Sequence, residues 1–148
     1  MKEYNNEVEI HASAERVWHL LTDFARFPQW NPFIQRASGE AKTGARLEVT
    51  IQPSGASRTT SRPTVLKAEP NHELRWIERS LIPGLLNVEH IFTIEQLDTT
   101  HVRFIQREIR TGILVPLDAR RRNTDTRRGL KEMNLALKSR AEQPRSAD

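Results

Sequence analysis

Three consecutive segments alternate so regularly that they leave little choice of architecture: about Glu73–Leu81, Asn87–Leu97 and His101–Arg110. In each, even-numbered positions carry the apolar residues: Leu74 and Trp76, then Val88, Phe92 and Ile94, then Val102 and Phe104. Successive side chains of a strand point to opposite faces, so each set shares one side of a sheet. The odd-numbered positions, Arg75, Arg79, Glu89, Glu95, Arg103 and Arg107, suit water. The turns between them, Pro83-Gly84 and Asp98-Thr99-Thr100, are too short for the crossover that parallel strands need, so the pairing is antiparallel.

The same reading extends backwards. Strands are predicted at about Phe33–Gly39, Arg46–Gln52 and Thr60–Ala68, separated by Lys42-Thr43-Gly44, Pro53-Ser54-Gly55 and Pro70-Asn71. Asn6–His11 alternates as a first strand, and Ser13 is placed to cap a helix from about Ala14 to Asp23 with Val17, Leu20, Leu21 and Phe24 on one face. A second short helical turn is expected in DFARFPQWNPF, where Pro28 and Pro32 restrict the backbone. A long helix is predicted from near Leu117 to about Ala141, with Thr126, Leu130, Met133 and Leu137 as its buried stripe. The expected fold class is α+β, a curved antiparallel sheet of seven strands around a long C-terminal helix, with two short helices after the first strand. Residues 1–142 form one domain in this reading, and 143–148 a flexible tail.

Each inward row begins as ordinary core and ends polar, at Glu78, His90, Gln106 and Glu108. If the hairpins are symmetric about Gly84 and Thr99, Glu78 faces His90, His90 faces Glu108, and Trp76, Phe92 and Gln106 form the neighbouring rung. An unpaired polar group in an apolar interior costs roughly 2–7 kcal/mol, so four together need partners or a wet cavity. The pattern predicts a hollow walled by Trp30, Phe33, Val49, Trp76, Phe92, Phe104, Leu130 and Met133, with Glu78, His90, Gln106 and Glu108 at its polar end. A structural Glu-His-Glu set open to water is the competing explanation. An imidazole between two carboxylates favours the protonated form.

Several chemistries find no support. The chain has no cysteine, so thiolate nucleophiles and disulfides are absent. There is no nucleophile elbow, zinc-binding HExxH helix or phosphate-cradling glycine loop. His11, His19, His72, His90 and His101 lack ligand spacing, and neither a metal nor a cofactor is expected. From Leu117 onward there are nine Lys/Arg and five Asp/Glu, which leaves the preceding residues balanced and puts the net charge of +4 in the final helix and tail. Arg120, Arg127, Lys131 and Lys138 form a stripe beside Asp118 and Asp125, read as a solvated face, so nucleic acid is not expected as a partner. No membrane span or secretory leader is expected, and a cytoplasmic location follows as the default. Oligomeric state is left open.

The stretches VEIHASAERVWHLLTDFARFPQWNPFI, Glu73–Trp76, GLLNVEHIFTIEQL and FIQREIRTGILVPL, followed by TRRGLKEMNLALKSRAE, resemble the SRPBCC or START-like superfamily, specifically its polyketide cyclase/dehydrase-like branch. The resemblance implies the helix-grip fold, with a deep cavity between sheet and C-terminal helix. It is specific for fold and weak for function, because the superfamily includes lipid carriers, hormone receptors, cyclases and co-chaperones. Three functions follow as expectations. The leading one is non-catalytic binding of a small hydrophobic molecule or lipid. The second is an acid/base enzyme, such as a cyclase, dehydratase or hydrolase, using His90 with Glu108 or Glu78. The third is a protein-interaction module acting through the basic helix.

Overall fold

The computed structural model describes residues 1–53 and 55–144, and for 119–122 the backbone alone. The last four residues of the expected tail, Ser54 of the expected turn, and the side chains of Arg120, Arg121 and Arg122 lie outside the described residues.

Strand β1 (Lys2–Ile10) leads into helix α1 (Ala14–Thr22). The Ser13 side chain accepts from the Arg16 amide, satisfying one of the free N–H groups of the first turn. A 3-10 turn (Phe24–Arg26) and a four-residue helix, α2 (Phe27–Trp30), follow. Then come β2 (Ile34–Ser38), β3 (Glu48–Ile51), β4 (Thr59–Ser61), β5 (Thr64–Glu69), β6 (Glu73–Arg79), β7 (Asn87–Asp98), β8 (His101–Thr111) and helix α3 (Val115–Ala141).

The described residues hold eight strands, where the alternation predicted seven. The extra one arises at Pro63, which has no N–H and pushes Arg62 away from regular pairing. The single strand expected over about Thr60–Ala68 is thereby split into β4 and β5. The sheet accordingly divides into five strands in the order β1-β8-β7-β6-β5 and three in the order β2-β3-β4. A bridge between Arg46 and Thr64, with hydrogen bonds from the Leu47 amide to Pro63 and from the Val65 amide to Ala45, joins the two across the break.

Hairpin β7–β8 is centred on Thr99, as the turn chemistry predicts, so His90 faces Glu108 and Phe92 faces Gln106. Hairpin β6–β7 differs. Its loop closes by a Ser80 amide bond to the Leu86 carbonyl, with the Ser80 hydroxyl bonded to Ile82 and Leu86, and its centre falls at Pro83 rather than Gly84. The partners shift by two residues: Trp76 faces His90, Leu74 faces Phe92, and Glu78 faces Val88. Glu78 is therefore not opposite His90, and Trp76 is not on the Phe92 rung. A two-residue shift preserves parity, so the inward face survives intact.

The concave face and α3 enclose the core. Leu130, Met133 and Leu137 on α3 are completely buried, as are Tyr4 and Ile10 on β1 and Phe92 and Phe104 on β7 and β8. Burying each of these large apolar side chains stabilises by roughly 1.5–3 kcal/mol. On the convex face, Arg75 pairs with Glu73 and Glu89, Arg103 with Glu95 and Glu9, and Arg107 with Glu3. Such solvated pairs contribute up to about 1 kcal/mol each and chiefly keep that face wet. The described bases of α3 are mostly bonded within the chain: Arg127 to Asn123, Arg128 to Asp125, Lys138 to Glu142 and the Glu9 carbonyl, and Arg140 to Gln29. Among the described residues no helix is long and apolar enough to cross a membrane.

Candidate functional site

A cavity of about 130 Å³ lies between β6–β8, the three-stranded sheet and α3. Its apolar walls are Phe33, Ile51, Pro53, Pro63, Trp76 and Val88, and its polar members include Glu78, His90, Glu108, Arg110 and Thr126. Phe33 reaches it because the Asn31 side chain accepts from the Phe33 and Ile34 amides, turning the chain sharply after α2. Gly129 makes room on the helix side: a Cβ there would overlap the Phe33 ring. A larger hollow of about 640 Å³ lies elsewhere, between Phe24, Pro28 and polar residues of β2–β4 such as Arg36, Glu48 and Thr60. The inward polar row does not reach it, and most of its polar walls face water, so the smaller, better-enclosed cavity is the stronger candidate.

The polar end is organised by Arg110. Its Nε and Nη2 donate to Glu108 Oε2 at 3.0 and 2.8 Å, Nη2 also reaches Thr126 Oγ1 at 3.2 Å, and Nη1 donates to Asp118. Burial opposes the charge, yet the Glu108 and Asp118 carboxylates outweigh it and hold the guanidinium pKa above its ordinary value. The Tyr4 ring packs beneath, 5.4 Å from the Arg110 guanidinium carbon. Burial is also the main cause that pushes the Tyr4 hydroxyl pKa up.

His90 sits beside this cluster, with its ring stacked on Phe92 at 4.4 Å and tilted against Trp76 at 5.5 Å. Its Nε2 contacts Gln106 Oε1 at 2.7 Å, not a carboxylate. Gln106 Nε2 donates to Asn134 Oδ1 at 2.7 Å, and Asn134 Nδ2 donates to the Asn6 carbonyl and side-chain oxygens at 3.0 and 2.9 Å. Burial drives the His90 pKa down and Arg110 adds to that, against the opposing pull of Glu108 and Gln106. The expectation of a protonated imidazole between two carboxylates is thus corrected. Glu78 is one rung away, Glu108 is neutralised by Arg110, and desolvation favours the neutral ring.

The sequence-predicted residues separate into two groups. Phe33, Trp76, Glu78, His90 and Glu108 line the cavity. Val49, Phe92, Phe104, Leu130 and Met133 lie in the close-packed core and do not line it. Gln106 is fully buried and meets His90 rather than the cavity. Trp30 is half-buried with its ring edge on Phe27 at 5.3 Å, away from the cavity. Alternation alone cannot tell a side chain that faces a hollow from one that fills it.

Sequence reasoning missed Arg110, Asp118, Asn134 and the walls from Ile51 to Pro63. Arg110 continues the even-numbered row through Phe104, Gln106 and Glu108, a signal already present in the parity. Asn134 follows Leu130 at helical spacing, which puts it on the buried face of α3.

The family model described as polyketide cyclase / dehydrase and lipid transport matches residues 1–142. Among curated proteins none matches the chain. Similar solved structures include a START superfamily protein from Mycobacterium smegmatis, at 20% identity and a TM-score of 0.73, with 95% of this chain and 97% of that one covered. The Zhui aromatase/cyclase from a Streptomyces species is similar at 16% identity and a TM-score of 0.71, covering 95% and 93%. A norcoclaurine synthase point mutant from Thalictrum, in complex with a transition state analogue, is similar at 15% identity and a TM-score of 0.67, also covering 95% and 93%. Identities this low speak to fold alone. The sheet-and-helix fold is the one these structures share, and with the family model spanning β1 to the end of α3 the chain belongs to the polyketide cyclase / dehydrase and lipid transport family.

Proposed function

We propose that the chain binds a small amphipathic molecule, with the ligand's polar group at Glu78, His90 and Glu108 and its apolar body between Trp76, Phe33, Ile51 and Val88. The observation that carries this reading is the cavity, which joins apolar walls to a buried row of polar side chains. Its volume of about 130 Å³ is close to the roughly 150 Å³ of an engineered apolar cavity that takes a benzene ring, so it suits a single-ring or short-chain group. A longer lipid or polyketide would leave most of its length outside, or would displace the β3–β4 hairpin.

The test is native mass spectrometry and thermal shift against panels of small aromatic, lipid and polyketide-like compounds. Specific one-to-one binding that is lost in Trp76→Ala and raises the melting temperature of the natural chain is the expected result. Saturating panels that leave mass and melting temperature unchanged would remove the reading.

Acid/base turnover is a second reading, favoured by one observation: an imidazole lines the cavity, and burial holds it in the unprotonated form that a general base needs. Glu108 is bonded to Arg110, so His90 would act without a carboxylate partner. Loss of turnover with retained binding in His90→Asn is its signature. The interaction-module reading gains no support from α3, whose described bases are largely satisfied within the chain.

A further inference from the structure

We propose that the cavity selects ligands bearing a protonated amine, because its polar end presents hydrogen-bond acceptors and surplus negative charge to whatever enters. This rests on the reading of the cavity as a ligand site and names the chemical class that site takes.

The direction of the amide chain behind His90 is fixed from its far end. The Asn6 main-chain oxygen can only accept, so the Asn134 group that meets it is the NH2. The other Asn134 atom is then the oxygen, which obliges Gln106 to donate through Nε2. Gln106 is left with Oε1 toward the imidazole, and that oxygen can only accept, so His90 carries its proton on Nε2. A neutral ring with Nε2 protonated has a bare lone pair on Nδ1. Among the described residues the imidazole's hydrogen bond is the one to Gln106, which leaves Nδ1 as an unpartnered acceptor on a cavity-lining residue only 2% exposed.

Glu78 gives a second acceptor. It lines the same cavity, and its Oε2 is buried without a hydrogen-bond partner. A carboxylate oxygen held out of water and unpaired is complete only when a donor arrives.

Arg110 does not change this balance. Its contacts with Glu108, Asp118 and Thr126 occupy Nε, Nη1 and Nη2, leaving little to offer an incoming anion. Among the residues that line the cavity, the Glu78 and Glu108 carboxylates stand against the guanidinium of Arg110, with His90 neutral. An ammonium supplies several N–H donors and the missing positive charge together. The electron-rich rings of Trp76 and Phe33 line the same cavity and favour a cation over an anion as well.

The experiment compares benzylamine, benzyl alcohol and benzoate, which share one skeleton and differ in head-group charge, by titration calorimetry on the full chain at neutral pH. Benzylamine is expected to bind at least about tenfold more tightly than benzyl alcohol, with benzoate undetectable. Glu78→Gln is expected to remove that preference, bringing benzylamine affinity down to about that of benzyl alcohol. Long-range proton–nitrogen NMR of the natural chain is expected to show His90 Nδ1 unprotonated and Nε2 protonated, and Gln106→Leu to relax that tautomer.

Benzoate or benzyl alcohol binding as tightly as benzylamine overturns the proposal and leaves the ligand-site reading standing. So does unchanged benzylamine affinity in Glu78→Gln, or a proton found on Nδ1. Binding by none of the three overturns the proposal too. Whether the broader reading falls with it is decided by the compound panels, because a neutral or acidic hit there preserves a ligand site of the opposite preference.

Discussion

Replacing Arg110 by methionine tests the organisation of the polar end most directly. Arg110 and Glu108 are 7% and 3% exposed, and the guanidinium supplies both hydrogen bonds that Glu108 Oε2 accepts, at 3.0 and 2.8 Å. Methionine keeps much of the volume and removes the charge, leaving a buried carboxylate alone. Breaking a buried pair in this way costs roughly 3–5 kcal/mol. The adjoining cavity admits water to Glu108, and the Asp118 side chain retains 14% exposure, so the lower end, about 3 kcal/mol, is the expected loss. For a domain of this size that lowers the melting temperature by roughly 6–12 °C. Urea unfolding followed by tryptophan fluorescence measures it. Glu108→Gln combined with Arg110→Met removes both charges and is expected to recover most of the loss, since a neutral amide is far cheaper to bury than a lone carboxylate. A loss below about 1 kcal/mol in Arg110→Met, or a double variant no more stable than that single one, would refute the view that the pair is buried and mutually dependent.

His90 makes stability depend on pH in a definite direction. Its folded pKa is lowered, so below the ordinary value of 6.5 the unfolded chain takes up a proton that the folded chain refuses. Stability falls as pH drops through that value, by at most about 1.4 kcal/mol per pH unit, and the loss ends once the folded ring itself titrates. Urea midpoints across this range should show a shallower slope in His90→Gln, and equal slopes would contradict the burial argument. Gly129→Ala adds a methyl that overlaps the Phe33 ring; the helix gains about 1 kcal/mol in propensity while overpacking costs about 1–3 kcal/mol. The net change is a loss of between zero and about 2 kcal/mol, and Phe33 is driven into the cavity, so thermal stabilisation by any ligand disappears; undiminished ligand shifts would show that the cavity does not depend on this contact.

Much of this arrangement was legible in the alternation of three strands, because parity survives errors of register. The Asp98-Thr99-Thr100 turn centred β7–β8 correctly, since a tight turn leaves few ways to pair. The loop from Ser80 to Leu86 is longer and is closed by a serine hydroxyl, and the register it sets cannot be found by assuming symmetry about a glycine. Pro63 signalled a break that the strand pattern obscured. Arg110 was overlooked because an arginine at a strand end ordinarily reaches water, whereas this one is held inward by Glu108 and Asp118. The size of the hollow was not legible at all. It depends on how Phe92, Phe104, Leu130 and Met133 fill the interior, a property of three-dimensional packing.

The interruption at Pro63 divides responsibility around the cavity. The charged cluster and the imidazole stand on two long strands and a long helix, whereas Ile51, Pro53 and Thr59 belong to a hairpin with far fewer backbone ties to its neighbours. Substitutions on that hairpin can reshape the opening for a different molecular skeleton without disturbing the groups that recognise the head. A directed library confined to those positions would therefore change what fits while leaving intact the chemistry that holds it.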